Sequence, residues 1–172
     1  RWQHPAYGFL TPDQFIPLAE KSGNISLITN WALTAAIREC RLWLEEGLAL
    51  PVAVNLSGRD LQNRDLPCLV LELLRDHDLP ARQLVLEITE QAVVRDFAAA
   101  TLVLECLRDL GIRIAIDDFG TGYSSLAQLR HLPVDELKID RSFVMGLPAG
   151  KADAAIVRSA IDLAHNLGLE VL

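Results

Sequence analysis

Hydrophobic and polar positions in the first third of the chain recur at helical spacing, and then the period changes. Thr11 followed by Pro12 marks a helix start, and Phe15, Ile16, Leu18 and Ala19 carry that helix to Gly23. A second helix is predicted from about Leu27 to Glu46. Its apolar stripe of Ile28, Trp31, Ala32, Ala35, Leu42 and Trp43 faces a core, which puts Trp31 and Trp43 inside, and Gly47 is the stop. Beyond it, Val52–Leu56 is short, β-branched and almost wholly apolar, as a strand covered on both faces should be. Leu84–Thr89, Ile112–Asp117 and Glu136–Asp140 repeat the type, and Leu169–Leu172 begins another. Helical segments over Leu66–His77, Asp96–Leu110 and Lys151–Leu167 separate them, with Gly111 and Gly168 as stops.

This alternation predicts an α/β fold, a parallel sheet with crossover helices, either doubly wound and open or a (βα)8 TIM-like barrel. No glycine-rich phosphate loop follows any strand. A barrel takes about 250 residues, so these 172 are expected to be a truncated barrel lacking the first strands and the last strands. The start at Arg1 without Met and the stop at Leu172 inside an apolar run carry the same expectation: residues 1–172 form one partial domain of a longer protein.

Composition narrows the function. Sixteen basic residues against 23 acidic ones give a net charge of −7, which argues against a nucleic-acid polymer as partner, because that grip needs clustered Lys and Arg. No apolar run approaches the roughly 18 residues of a membrane span. Cys40, Cys68 and Cys106 lie singly in helical segments, fitting neither a disulfide framework nor a CxxC metal site, and a reducing cytoplasm is expected.

The chemistry gathers at strand ends. Asn55, Glu87, the pair Asp117-Asp118, and Lys138 with Asp140 interrupt otherwise apolar strands. Asn55, Glu87, Asp117 and Lys138 stand 32, 30 and 21 residues apart, each about one βα unit, so they should meet at one mouth of the sheet. Alternation puts Val85, Glu87 and Thr89 on one face and turns Leu84, Leu86 and Ile88 toward the helices. Each acid taken singly has a plainer reading, as a helix cap or a surface ion pair. Carboxylates held together repel unless a cation sits among them, and an oxygen-rich set without Cys or His suits Mg²⁺ or Mn²⁺. Adjacent Asp117 and Asp118 can serve two ions, the arrangement for in-line displacement at phosphorus. Lys138 would orient water or neutralise phosphoryl charge, although a strand Lys also serves as a Schiff-base residue or as an ion-pair partner of Asp140.

Six segments carry a family resemblance: Arg1-Trp2-Gln3-His4-Pro5, Thr11–Glu20, Val54-Asn55-Leu56-Ser57, Leu86–Glu90, Asp117–Leu126 and Leu137–Phe143. Together they resemble the EAL-domain cyclic-di-GMP phosphodiesterases, the strongest part being Asp-Asp-Phe-Gly-Thr-Gly with Lys-Ile-Asp following. The resemblance implies a modified (βα)8 barrel that hydrolyses cyclic-di-GMP to linear pGpG with Mg²⁺ or Mn²⁺, inhibited by Ca²⁺, in bacterial signalling. It implies that Asn55, Glu87, Asp117 and Asp118 are metal ligands and that Lys138 contacts the catalytic water. Arg1 would bind a substrate phosphate. Glu90 would anchor the loop Phe119–Ser125, in which Gly120 and Gly122 also read as turn residues and Ser124 as a helix cap. Asp140 would be a carboxylate in or beside the site. A homodimer and fusion to sensor or GGDEF domains are implied as well. The Glu-Ala-Leu signature is expected to precede Arg1, and the later acidic segment to follow Leu172, so the segment alone should be inactive within an active parent.

Two other readings stay open. A degenerate relative would bind the same dinucleotide without cleaving it, and a Lys-dependent aldolase-type barrel would form a Schiff base on Lys138. His4, His77, His131 and His165 lack a mutual ligand spacing and read as surface or capping residues. Trp2, beside Arg1, is a candidate to line the cleft, and Glu45-Glu46 and Arg75–Asp78 read as solvated helix ends.

Overall fold

The computed structural model describes residues 1–94, 96–121, 126–146 and 151–172. A small antiparallel hairpin, β1 (Trp2–His4) and β2 (Gly8–Leu10), precedes the main body. Its three-residue strands are too short for alternation to announce them. The imidazole Nδ1 of His4 accepts from the N–H groups of Ala6 and Tyr7, at 3.1 and 3.3 Å, and closes the turn.

Helix α1 (Pro12–Ser22) begins and ends where the sequence places it: Gln14 Oε1 accepts from the Thr11 N–H at 2.9 Å, and Gly23 caps the end at φ +80°. Helix α2 (Ile25–Glu45) starts two residues earlier than expected and turns a different side inward. Its buried line is Ile25, Thr29, Leu33, Ile37 and Cys40, whereas Trp31 is 69% exposed and Leu42 47% exposed. Trp31 is therefore not a core residue; Trp43 does pack against the core. Periodicity alone cannot decide this, because the helix is apolar on more sides than one sheet can cover.

Five parallel strands follow, β3 (Val52–Leu56), β4 (Leu84–Thr89), β5 (Arg113–Phe119), β6 (Glu136–Ile139) and β7 (Glu170–Val171), in the spatial order β3-β4-β5-β6-β7. Each strand lies beside its predecessor in sequence, with no reversal of direction. A doubly wound sheet would have such a reversal, so the order is that of a (βα) barrel. Among the described residues the sheet is open, with β3 and β7 as its edges. The crossovers are α3 (Leu66–Asp76), a short α4 (Glu90–Val94) leading into α5 (Phe97–Asp109), α6 (Leu126–Leu129), and α7 (Arg141–Gly146) with α8 (Lys151–Leu167). The expected cap at Ser124 and turn at Gly122 lie outside the described residues.

The core lies between one face of this sheet and the helices. Leu84, Leu86, Ile88, Ile112, Ile114, Ile116 and Leu137 meet Leu33 and Ile37 of α2, Val70 of α3 and Leu104 and Leu107 of α5. Asp60, 2% exposed, fastens α2 to the exit of β3: it accepts from Ser26 Oγ (3.0 Å), Thr29 Oγ1 (2.8 Å), and the Ser57 N–H (2.9 Å) and Oγ (2.7 Å). With these four donors satisfied by one carboxylate, the strand end that carries Asn55 is held in place. Cys40, Cys68 and Cys106 are free thiols on α2, α3 and α5. No helix among the described residues is long and apolar enough to cross a membrane.

This partition sets two contrasting outcomes. Leu86→Ala should cost about 3 kcal/mol by leaving a cavity, whereas Trp31→Ser should change stability by less than about 1 kcal/mol. Urea unfolding of the two variants checks it, and equal losses would mean that the buried side of α2 is misassigned.

Candidate active site

The opposite face of the sheet is polar at its carboxyl end. Asn55 of β3 pairs with Glu87 of β4, and Thr89 of β4 pairs with Asp117 of β5. As the alternation predicts, Leu84, Leu86 and Ile88 enter the core and Glu87 points away from it. Asn55 Nδ2 donates to Glu87 Oε2 at 3.3 Å, and Lys138 Nζ donates to Glu87 Oε1 at 2.7 Å and lies 3.4 Å from Asp117 Oδ1. Glu87 is 9% exposed, so both of its oxygens are satisfied by protein donors at the edge of the core.

Asp118 reaches the same cluster by a backbone device. Strict alternation would send adjacent Asp117 and Asp118 to opposite faces. The β5–β6 register shifts between Ile116 and Phe119, and Asp118 takes φ +54°. That left-handed kink leaves its carboxyl within electrostatic range of Asp117, Asp140 and Lys138. Asp is among the few non-glycine residues that tolerate this conformation, and Asp117 Oδ1 accepts the Asp118 N–H at 3.0 Å.

Electrostatics follow the geometry. Partial burial, and then repulsion from Asp117 and Asp140, hold the Asp118 carboxyl above the ordinary carboxylate range. Burial opposes the Lys138 ammonium, but the hydrogen bond and charge of Glu87, with Asp117, outweigh it and raise its pKa. The Asp140 carboxyl is lowered by the Ser142 hydroxyl and N–H, the latter at 2.8 Å. Glu136, 7% exposed, is raised by burial against the lowering pull of Arg113.

Glu90, the first residue of α4, accepts the Gly120 N–H at 2.8 Å and ties the exit of β5 to that of β4. Gly120 has φ +99°, and a Cβ there would stand 2.8 Å from Phe143 Cε2, so a side chain would strain the backbone and displace the Phe143 ring. Residues 122–125 of the predicted loop lie outside the described set. Arg1 is exposed and makes no ion pair among the described residues. Trp2 packs edge-on against His4 and Phe15, at ring separations of 5.0 and 5.7 Å. Arg113 and Glu136, which join the ionic network on this face, escaped the sequence reading. The available signal was Glu136 standing one inward-facing step before Lys138.

The donors suit a hard divalent cation: Asn55, Glu87, Asp117 and Asp118 offer carboxamide and carboxylate oxygens. Among the described residues no group of three or more His, Cys, Asp or Glu stands in metal-holding geometry, and the Lys138 ammonium supplies the positive charge between Glu87 and Asp117.

A comparison with protein families matches residues 1–172 to the EAL domain. The chain is 46% identical over its whole length to the bifunctional diguanylate cyclase/cyclic di-GMP phosphodiesterase MucR of Pseudomonas aeruginosa, and 45% identical to the cyclic di-GMP phosphodiesterase NbdA of the same organism. It spans 25% and 22% of those two proteins. The solved structure described as the PaMucR phosphodiesterase, c-di-GMP complex, superimposes with a TM-score of 0.93 over 99% of this chain and 70% of that one.

Asp118→Asn should raise the melting temperature of the metal-free protein at neutral pH. The amide tolerates the left-handed backbone and abolishes the repulsion from Asp117 and Asp140, although water screens part of that gain at an exposed rim. A lowered melting temperature would show that the charge on Asp118 holds the metal-free rim together.

Proposed function

Because the chain belongs to the EAL domain family, we propose that it is the metal-binding and phosphate-facing part of a cyclic-di-GMP phosphodiesterase that yields linear pGpG. The observation that carries the proposal is the Lys138 ammonium held by Glu87 and Asp117 on the polar face, with Asn55 and Asp118 beside them. A Schiff-base role fits this arrangement poorly. A raised lysine pKa keeps the amine protonated, whereas a nucleophilic lysine needs a lowered one.

Asn55, Glu87, Asp117 and Asp118 would hold Mg²⁺ or Mn²⁺ in one or two sites. When bound, such ions lower the pKa of coordinated water and screen phosphoryl charge. The protein's own groups do the remainder. Lys138 Nζ donates a hydrogen bond that orients the attacking water or offsets charge on a phosphoryl oxygen, and Glu87 fixes that donor in place. Water's oxygen adds to phosphorus, one ester P–O bond breaks, and a proton passes to the departing ribose oxygen. Arg1 would pair with a substrate phosphate. The bond from Gly120 to Glu90 would set the loop beside the acidic pair. Asp140, fixed by Ser142, would position Asp118. A homodimer belongs to the same proposal, as does fusion to further domains, which the length of the relatives supports.

Turnover of cyclic-di-GMP by the intact protein, followed by chromatographic detection of pGpG, tests the reading. Asp117→Asn should lower kcat at least about a hundredfold, since it removes charge while nearly keeping shape. Ca²⁺ in place of Mg²⁺ should preserve binding and suppress cleavage, because its coordination is longer and looser. Tight dinucleotide binding without any pGpG in Mg²⁺ or Mn²⁺ would identify a receptor instead.

A further inference from the structure

Below the rim the polar face carries a second ionic layer. Register aligns Glu87, Ala115, Glu136 and Glu170 on β4, β5, β6 and β7, so carboxylates share one row with only the methyl of Ala115 between Glu87 and Glu136. Cations on the same face straddle this row. Arg113 lies one inward-facing step before it on β5, and Lys138 one step after it on β6.

The cations are divided among the acids. Arg113 Nη2 donates to Glu136 Oε2 at 3.1 Å and also pairs with Glu170, whereas Lys138 goes to Glu87 and Asp117. Glu136 is 7% exposed, so little solvent reaches it to offset the loss of the guanidinium. A buried carboxylate stripped of its partner costs several kcal/mol and attracts the nearest mobile cation. That cation is Lys138, two residues along the same strand.

We propose that Arg113 is a positioning residue for Lys138: by satisfying Glu136 and Glu170 it leaves the lysine to Glu87 and Asp117. The planar guanidinium suits this task because it spans two carboxylates at once. The structural half of the inference stands on the ionic geometry alone, and its consequence for turnover rests on the phosphodiesterase reading.

A crystal structure of the Arg113→Met variant tests the first half. Lys138 Nζ should leave Glu87 and lie within about 2.7–3.2 Å of Glu136. For turnover of cyclic-di-GMP, Arg113→Met should lower kcat at least about tenfold with KM within about twofold. Adding Glu136→Gln should return Lys138 to Glu87 and kcat to within about threefold of the parent. A lysine that stays on Glu87 in Arg113→Met, or a loss of kcat that Glu136→Gln does not reverse, overturns the proposal.

Arg113→Lys guards against a folding failure of the first variant. Its single contact should cost about threefold in kcat, again reversed by Glu136→Gln, and an unreversed loss has the same overturning force. A displaced lysine in a protein whose parent cleaves nothing would end the phosphodiesterase reading and leave the positioning role standing.

Discussion

Like charges crowded on one face of a parallel sheet must be neutralised or spread apart, and this chain neutralises them. Glu87, Asp117, Asp118 and Asp140 converge where strands β4 to β6 end, with Lys138 among them. The opposite face of the same strands is packed with Leu and Ile against helices, so the sheet cannot tilt or slip to relieve the repulsion. Rigid apolar packing on one side is what makes a concentrated acidic rim possible on the other.

The backbone contributes as much as the side chains. A shift in the β5–β6 register and a left-handed residue at Asp118 bring consecutive acids onto one side of a strand that would otherwise separate them. Strain of this sort persists only where its surroundings over-determine it. Here the surroundings are the Asp117 contact to the Asp118 N–H, the Glu90 contact to Gly120 and the close packing of Gly120 on Phe143. Asp60 plays the corresponding part on β3, fixing the exit of the strand that bears Asn55.

Much of this was legible in the residues. Strand positions, the helices between them and the meeting of Asn55, Glu87, Asp117 and Lys138 follow from period-two alternation and from the recurrence of polar groups at one βα spacing. Glu90 accepts the Gly120 N–H, a contact that joins the exits of neighbouring strands. What stayed hidden depends on three-dimensional registration. The buried side of α2 is not readable from the residues, because Trp31 and Leu42 are as apolar as Leu33 and Ile37, and only the position of the sheet selects between them. The kink at Asp118 has no signature beyond the Asp pair itself. The Arg113–Glu136 contact joins residues on neighbouring strands, and pairing of that kind is invisible until the strands are aligned.

We propose that this rim holds a divalent cation through carboxylate and carboxamide oxygens. Calorimetric titration of the intact, metal-stripped protein with Mn²⁺ measures it directly. Saturable uptake, weakened at least about tenfold by Glu87→Gln, is the predicted result. Absence of uptake, or uptake indifferent to the loss of Glu87, contradicts the account.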